Sequence, residues 1–140
     1  MGKKKAAKAE SLMAAAAVKR EIKQQASPEQ KATNEWFFKT GKGEYSEGDI
    51  FIGLKVPAQR KIARRCREMG LSEVEKLLQS PIHEHRLTAT IILVDQAQRG
   101  GQEALRAIYD LYCGNIQHVN NWDIIDGSAP QIVGGYLDLT

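Results

Sequence analysis

The chain has 140 residues, of which 42% are hydrophobic and 26% are charged, and its formal net charge is +3. This length and apolar content suffice for one domain with a buried core, but not for two domains of ordinary size. The two cysteines, Cys66 and Cys113, form no CxxC pair, which argues against a disulfide framework and a zinc site. No apolar run is long enough to cross a membrane, and Glu10 interrupts a signal-peptide pattern. We therefore expect a cytoplasmic protein with no membrane segment.

Basic residues are concentrated in the first half of the chain. Residues 1–70 contain 16 Lys and Arg against 8 Asp and Glu, whereas residues 71–140 contain 4 against 9. One stretch, residues 55–67, contains no acid and six cations: Lys55, Arg60, Lys61, Arg64, Arg65 and Arg67. This density favours contact with phosphate, although a solvated helix face gives a similar pattern. The lysines of residues 3–8 are typical of a disordered basic tail.

The first forty residues predict two helices. Residues 6–25 are rich in alanine and predict a helix. Ser27-Pro28-Glu29-Gln30 then offers an N-cap, a proline in the first turn and a glutamine for a capping box. The second helix includes Trp36-Phe37-Phe38, which we assign to core packing rather than to base stacking. We accordingly divide the chain into a basic N-terminal segment, residues 1–26, and a helical domain, residues 27–140.

An ordered loop and a third helix follow. Residues 41–54 contain helix-breaking glycines and end in an apolar run, so we expect a loop held against the core. Pro57 then opens a helix. Its two stripes are an apolar inward one of Ile62, Cys66 and Met69, and a cationic outward one of Arg60, Arg64 and Arg67.

Three further helices are predicted in the second half. Ser72 and Glu75 are spaced as a capping box for a short fourth helix. Ser80-Pro81 precedes a fifth, and Gly100-Gly101 separates it from a sixth. Their apolar positions are Leu87, Ile91, Ile92 and Val94 in the fifth, and Leu105, Ile108 and Leu111 in the sixth.

Short joints between successive helices, with almost no strand alternation, define the fold class. We predict an all-α fold, an α-α superhelix of HEAT-like repeats similar to an ARM-repeat solenoid. A compact orthogonal bundle is the alternative, since it would give the same order of elements.

An acidic residue stands inside an apolar segment near the end of the chain. In residues 120–127, Trp122 and Asp126 are four apart, so on a helix the indole and the carboxylate share one face. Asp123 falls in the first turn, where a negative charge suits the helix dipole. Asp126 comes too late for that role. From spacing alone, it is either a buried acid satisfied by a neighbouring helix or a functional carboxylate.

The histidines give no metal site. His83-Glu84-His85 has the residue types of a ligand set, but histidines two apart on a helix point about 200° apart. We therefore assign this motif a solvated or capping role. His118 stands alone, and we assign it no role.

Two segments carry a resemblance to a known family. Residues 51–60, Phe-Ile-Gly-Leu-Lys-Val-Pro-Ala-Gln-Arg, contain phenylalanine and glycine alternating with hydrophobic residues, then a proline and an arginine. Residues 121–126, Asn-Trp-Asp-Ile-Ile-Asp, contain a tryptophan-aspartate-x-x-aspartate signature. Both patterns resemble those of the AlkD-type DNA alkylation repair proteins, and residues 78–86 resemble that family's turn before a helix. The resemblance covers roughly residues 30–140.

The resemblance implies a stack of HEAT-like repeats whose basic concave surface binds duplex DNA. It implies DNA glycosylase activity on cationic N3- or N7-alkylated purines, with no metal or redox cofactor. Asp126 matches the family's catalytic carboxylate, Trp122 matches an aromatic residue that contacts the lesion, and Asp123 matches a structural neighbour. The expected phosphate-binding residues are Lys55, Arg60, Lys61, Arg64 and Arg67.

Other expectations concern the end of the chain and the rival functions. The family completes its site with an arginine and an aromatic residue from later helices, and apolar residues crowd positions 124–139. We therefore expect a protein truncated at its C-terminus, or self-association that covers the last helix. A non-catalytic helical-repeat protein that binds DNA is one alternative function. A protein-binding HEAT module, whose charges only maintain solubility, is another.

Overall fold

The computed structural model describes residues 11–38, 50–118, 128 and 130–139. Its α-helices are α1 (Ala15–Gln25), α2 (Pro28–Phe38), α3 (Val56–Arg64), α4 (Leu71–Leu78), α5 (His83–Arg99), α6 (Gln102–Gly114) and α7 (Gly135–Leu139). A 3-10 turn, Ile116–His118, follows α6, and a π-helical turn, Pro130–Gly134, precedes α7. The described residues contain no strand, and their isolated parallel bridge joins Ile50 to Ile82. The predicted all-α helical-repeat fold is confirmed.

Helix α5 lies at the centre of the fold. It packs against α1, α3, α4 and α6, and every residue from 83 to 90 is buried. The same hydrophobic core contains Ile22, Ile62, Leu77 and Ile108 of these helices, each at most 1% exposed. A helix enclosed by several neighbours buries more than one stripe of its surface. The position of α5 therefore fixes those of the helices around it.

Helix α1 shares this core but is shorter than predicted. It begins at Ala15, and residues 11–14 are not helical, so the prediction of a helix over the described part of residues 6–25 was too long at its start. The Ala15 backbone N–H donates to Glu73 Oε1 of α4 at 2.9 Å. A hydrogen bond from Lys76, followed by this one, lowers the pKa of Glu73 below its ordinary value. A carboxylate from another helix thus replaces a local cap.

Helix α2 begins as predicted but is stabilised differently. The Gln30 backbone N–H donates to Ser27 Oγ at 3.1 Å, which confirms the N-cap. The capping box does not close, because the Gln30 side-chain amide donates to Asn34 Oδ1 at 2.7 Å and the Ser27 N–H donates to Gly53 O at 2.9 Å. Trp36 is 81% exposed, so its assignment to the core was wrong. The side chains of residues 37 and 38 lie outside the described part.

Glycines, and not side-chain caps, stand at the starts of α4 and α6. Gly70 is the N-cap of α4, which begins one residue before Ser72, so the capping box predicted from Ser72 and Glu75 is wrong. Glu75 Oε2 instead accepts a hydrogen bond from the Asn115 side chain at 2.9 Å. The predicted break between α5 and α6 is confirmed, since Gly100 ends one helix and Gly101 caps the next.

The C-terminal helices pack partly against α6. Ile132 is fully buried, Tyr136 stacks on Tyr109 with ring centroids 4.1 Å apart, and Leu137 is 57% exposed. Tyr112 and Ser128 share a buried hydrogen bond of 2.9 Å between their hydroxyl oxygens. These contacts bury much of the apolar surface of this segment.

Within the described ranges, no helix is long and apolar enough to span a membrane. The domain boundary after residue 26 stays a prediction.

Candidate nucleic-acid interface

A tight loop, residues 50–55, directly precedes α3 and contacts the start of α2. We call it the glycine loop. Gly53 has a φ of +102°, a backbone conformation that residues with a side chain rarely adopt. A Cβ on Gly53 would lie 2.2 Å from the Ser27 carbonyl oxygen and 2.7 Å from the Lys31 nitrogen. The loop backbone therefore touches the first turn of α2 directly, and only glycine permits that approach.

Replacement of Gly53 by alanine is expected to destabilise the fold by about 2 kcal/mol, through backbone strain and displacement of α2. Urea unfolding monitored by circular dichroism would measure the change. Gly114→Ala is the matched control, because a Cβ at that position would lie within 4 Å of no described group beyond its chain neighbours and its own helix backbone, and alanine favours a helix. An equal effect of the two substitutions would rule out the steric explanation.

Glu84, in the first turn of α5, is the acceptor at the centre of the glycine loop. Its carboxylate is fully buried and accepts the backbone N–H groups of Ile52, Gly53 and Leu54 at 3.0, 2.8 and 3.2 Å. The Asn34 side-chain amide of α2 donates to the same carboxylate at 3.2 Å. Several donors of this kind can compensate the cost of burying a carboxylate. Glu84 therefore joins α2, the glycine loop and α5.

A second buried contact attaches α3 to this arrangement. The Gln59 amide donates to the Leu54 carbonyl at 2.9 Å, and the Thr88 hydroxyl donates to Gln59 Oε1 at 3.2 Å. Gln59 is only 1% exposed. Since these bonds join the first turns of α3 to both the glycine loop and α5, they fix the direction in which the outer face of α3 points.

The His83-Glu84-His85 motif is buried, so the solvated role, one of the two that we predicted beside capping, was wrong. The three residues are 1%, 0% and 4% exposed, because neighbouring helices enclose the start of α5. His83 stacks on Phe51 with ring centroids 4.4 Å apart. In the part of the chain that the structure describes, no group of three His, Cys, Asp or Glu side chains could hold a metal ion.

His85 makes the stability of the fold depend on pH. Its Nδ1 lies 2.8 Å from Ser80 Oγ, while its buried Nε2 has no hydrogen-bond partner among the described residues. Burial, followed by the charges of Lys19 and Arg86, lowers the pKa of His85 from 6.5 to about 4. Between these values the unfolded chain binds a proton that the folded chain does not. Stability is therefore complete above about pH 6.5 and falls as the pH decreases toward 4.

This linkage predicts a loss of about 2 kcal/mol from His85 between pH 7 and pH 5. The free energy of unfolding, measured across that range, should fall in the wild type by about this amount more than in His85→Gln. His118→Gln is the control, since it makes the same substitution at a partly exposed position. Parallel pH profiles for the wild type and His85→Gln would contradict the assignment.

The predicted cations of and around α3 are exposed, but they do not form one cluster. Within the described ranges, Lys55, Arg60, Lys61 and Arg64 form no ion pair. Arg60, Lys61 and Arg64 share the outer side of α3. Lys55 is the N-cap at the opposite end, beside a cavity of about 280 Å³. Arg67 follows α3 in a turn, with Nε 4.0 Å from an Asp95 carboxylate oxygen.

The inner side of α3 and the following turn pack as predicted. Ile62, Cys66 and Met69 are at most 2% exposed, which confirms the apolar stripe, although the α-helix itself ends at Arg64. Burial raises the pKa of the Cys66 thiol to about 11, so this cysteine is not a reactive thiolate. The Arg67 carbonyl accepts hydrogen bonds from Gln96 and Arg99 of α5. These hydrogen bonds attach the turn after α3 to α5 and so help to fix the outer side of α3. We call this side, with Arg60, Lys61 and Arg64, the cationic surface.

The tryptophan-aspartate signature of residues 121–126 carries one predicted catalytic residue, Asp126, and one predicted lesion contact, Trp122. Trp122, Asp123 and Asp126 lie outside the described residues, so their assignments stay predictions. The nearest described residue that follows them is Ser128, whose hydroxyl is held by Tyr112 of α6.

The comparisons decide the family. A family model described as DNA alkylation repair enzyme matches residues 18–140. The chain belongs to the DNA alkylation repair enzyme family. A search of curated proteins found no significant match, and a search of solved structures found none either. Membership confirms the resemblance to the DNA alkylation repair proteins, and it supports an enzymatic role in DNA repair, with DNA as the substrate.

The sequence analysis did not predict that Glu84 holds the glycine loop. Two signals could have indicated it. Gly53 interrupts an apolar run, which is typical of close backbone approach. Glu84 lies three residues after Pro81, in a first helical turn, where free N–H groups and the helix dipole favour an acid. Neither signal tells which donors the carboxylate accepts, since they come from residues 30 or more positions earlier.

Proposed function

We propose that this member of the DNA alkylation repair family is a DNA glycosylase that removes cationic N3- or N7-alkylated purines. The family match over residues 18–140 is the observation that carries the proposal. The matched region includes both Trp122 and Asp126. If this segment forms a helix, their spacing of four residues would put an aromatic ring and a carboxylate on one face.

The chemistry of an alkylated purine explains why one carboxylate would be enough. The base carries a positive charge and leaves as a neutral molecule, so a strong general acid is not required. The deoxyribose, however, gains oxocarbenium character as the N-glycosidic bond breaks. An ionised Asp126 would stabilise this developing cation and orient the water that attacks it.

Trp122 would contribute the other attraction. The face of an indole ring holds a nearby cation by about 0.5–2 kcal/mol, with the larger values where water is excluded. Both the alkylated base and the reacting sugar carry positive charge. Trp122 would therefore favour the lesion over an unmodified purine, which is neutral.

The exposed cations of α3 support DNA binding by the same protein. Arg60, Lys61 and Arg64 have no acidic partner in the described part of the chain, so their charges are available to a polyanion. The contacts of Gln59 and Glu84 fix the orientation of this helix. Backbone phosphates are the expected ligands, because contact with them gives affinity without sequence selectivity.

Release of free base tests the proposal. The protein is incubated with duplex DNA that carries 7-methylguanine, and the released base is quantified. Turnover is expected with this duplex and not with the unmodified one. Salt-dependent binding without release would instead favour the non-catalytic DNA-binding alternative, which the cationic surface of α3 supports by itself.

A further inference from the structure

A groove of about 490 Å³ lies between α1 and α3. It is lined by Ser11, Gln25, Lys61, Ile62, Arg64 and Arg65. Ile62 is the apolar member of this lining and is almost fully buried. The accessible wall is therefore made of cationic and neutral polar groups, which favours an anionic ligand.

Glu21 divides the lining residues into two groups. Its carboxylate lies 3.3 Å from Arg65 Nη1 and accepts the Gln25 side-chain amide at 2.8 Å. Arg65 and Gln25 are therefore already engaged within the protein. Lys61 and Arg64 are exposed and form no ion pair with the described residues, which leaves their charges available to a ligand.

The N-terminal wall of the groove is fixed by the backbone. The Leu12 N–H donates to the Arg65 carbonyl at 2.7 Å, and the Leu12 side chain is buried in the core. The preceding residue, Ser11, is exposed and lines the groove. Its hydroxyl is a neutral hydrogen-bond donor among the residues that line the groove.

We propose that this groove binds one phosphodiester of the DNA backbone through Lys61 and Arg64, with the Ser11 hydroxyl as a neutral donor. The choice of DNA as the source of the phosphate rests on the function proposed above. Under this proposal, the groove is the main phosphate site of the cationic surface. Lys55, at the other end of α3, and Arg67, beside Asp95, do not line it.

The helix dipoles favour a singly charged phosphodiester over a free phosphate dianion. Gln25 is the last residue of α1 and Arg64 is the last residue of α3, so two negative helix ends flank the groove. Each opposes an anion by about 0.3–1 kcal/mol, whereas hydrogen bonds to charged groups contribute about 1.5–3 kcal/mol. The two cations prevail, but binding depends on both of them.

The test measures affinity for a short unmodified duplex at several salt concentrations. Lys61→Gln and Arg64→Gln are each expected to weaken binding about tenfold. Because both residues contact one phosphate, the double variant should lower the slope of log Kd against log salt by about one unit and not by two. Arg106→Gln is the matched control, since it removes the same charge from the exposed surface of α6. Equal losses in Arg106→Gln and Arg64→Gln would mean a general charge effect and would overturn the proposal.

Neutral methylphosphonate linkages identify the phosphate itself. A methylphosphonate at one position in the duplex should weaken binding by the wild type. The same substitution should not weaken binding by the double variant any further. The same loss in both proteins would contradict the site. Competition by inorganic phosphate at constant ionic strength, present in the wild type and absent from the double variant, would assign the groove to a free anion instead. Base release is not involved, so a failure of the glycosylase proposal leaves this result readable.

Discussion

Asp126→Asn is expected to lower the rate of 7-methylguanine release at least about a hundredfold, while the affinity for duplex DNA stays unchanged. Asparagine keeps the size of the side chain but removes its negative charge. It can neither stabilise the oxocarbenium-like sugar electrostatically nor accept a proton from the attacking water. Losses of this size are typical when one preorganised electrostatic group is removed from an active site. Single-turnover kinetics at saturating protein would separate this effect from binding.

Asp110→Asn supplies the control for that substitution. Asp110 is exposed on α6 and, like Asp126, carries one negative charge, so the two variants have equal net charge. The control should release base at the wild-type rate. If Asp126→Asn also releases base at that rate, the carboxylate is not catalytic and the glycosylase mechanism proposed here is wrong. If it loses DNA binding together with release, Asp126 has a structural role.

Signals carried by neighbouring residues were the ones that the sequence predicted well. Ser27 caps α2 three residues before Gln30, and the two glycines after Arg99 separate α5 from α6. The apolar stripe through Ile62 follows from helical periodicity alone. Each of these features depends on contacts within about one helical turn, which a linear pattern records directly.

Features that depend on distant residues were mispredicted. Glu73 caps α1 from 58 positions away, so alanine content gave no indication that the helix begins at Ala15. The two-residue spacing of His83 and His85 predicted that they lie on opposite faces of α5. We expected one of these faces to be exposed to water, but neighbouring helices bury both. Trp36 shows the converse error, because a large aromatic residue was assigned to the core and is 81% exposed.

The candidate interface was likewise predicted in its parts and not in its arrangement. The cationic residues around α3 are visible in the sequence because they are contiguous. Their division between a groove, a helix start and the turn beside Asp95 follows from how α1 and α5 pack against α3. A sequence gives the charges of a surface, whereas tertiary packing decides which of them act together.

Glu84→Gln is expected to lower the free energy of unfolding by about 3 kcal/mol. Glu84 Oε2 accepts hydrogen bonds from Asn34, Gly53 and Leu54, and Oε1 accepts one from Ile52. A glutamine retains one carbonyl oxygen, while its amide group would face a backbone N–H that then has no acceptor. The remaining bonds also lose their charge assistance. Urea denaturation with an unchanged slope would report this as a loss of stability without a change of fold.

A matched substitution separates this contact from the loss of a charge. Glu103→Gln removes the same charge from the exposed first turn of α6, where the helix dipole limits the expected loss of stability to about 1 kcal/mol or less. Because the Glu84 contacts also hold α2 and the start of α3, Glu84→Gln should weaken duplex binding even well below its unfolding temperature. Full stability in Glu84→Gln would show that the carboxylate is not the acceptor that organises the loop. Lost stability with unchanged DNA affinity would mean that the loop supports the core without orienting the cationic face of α3.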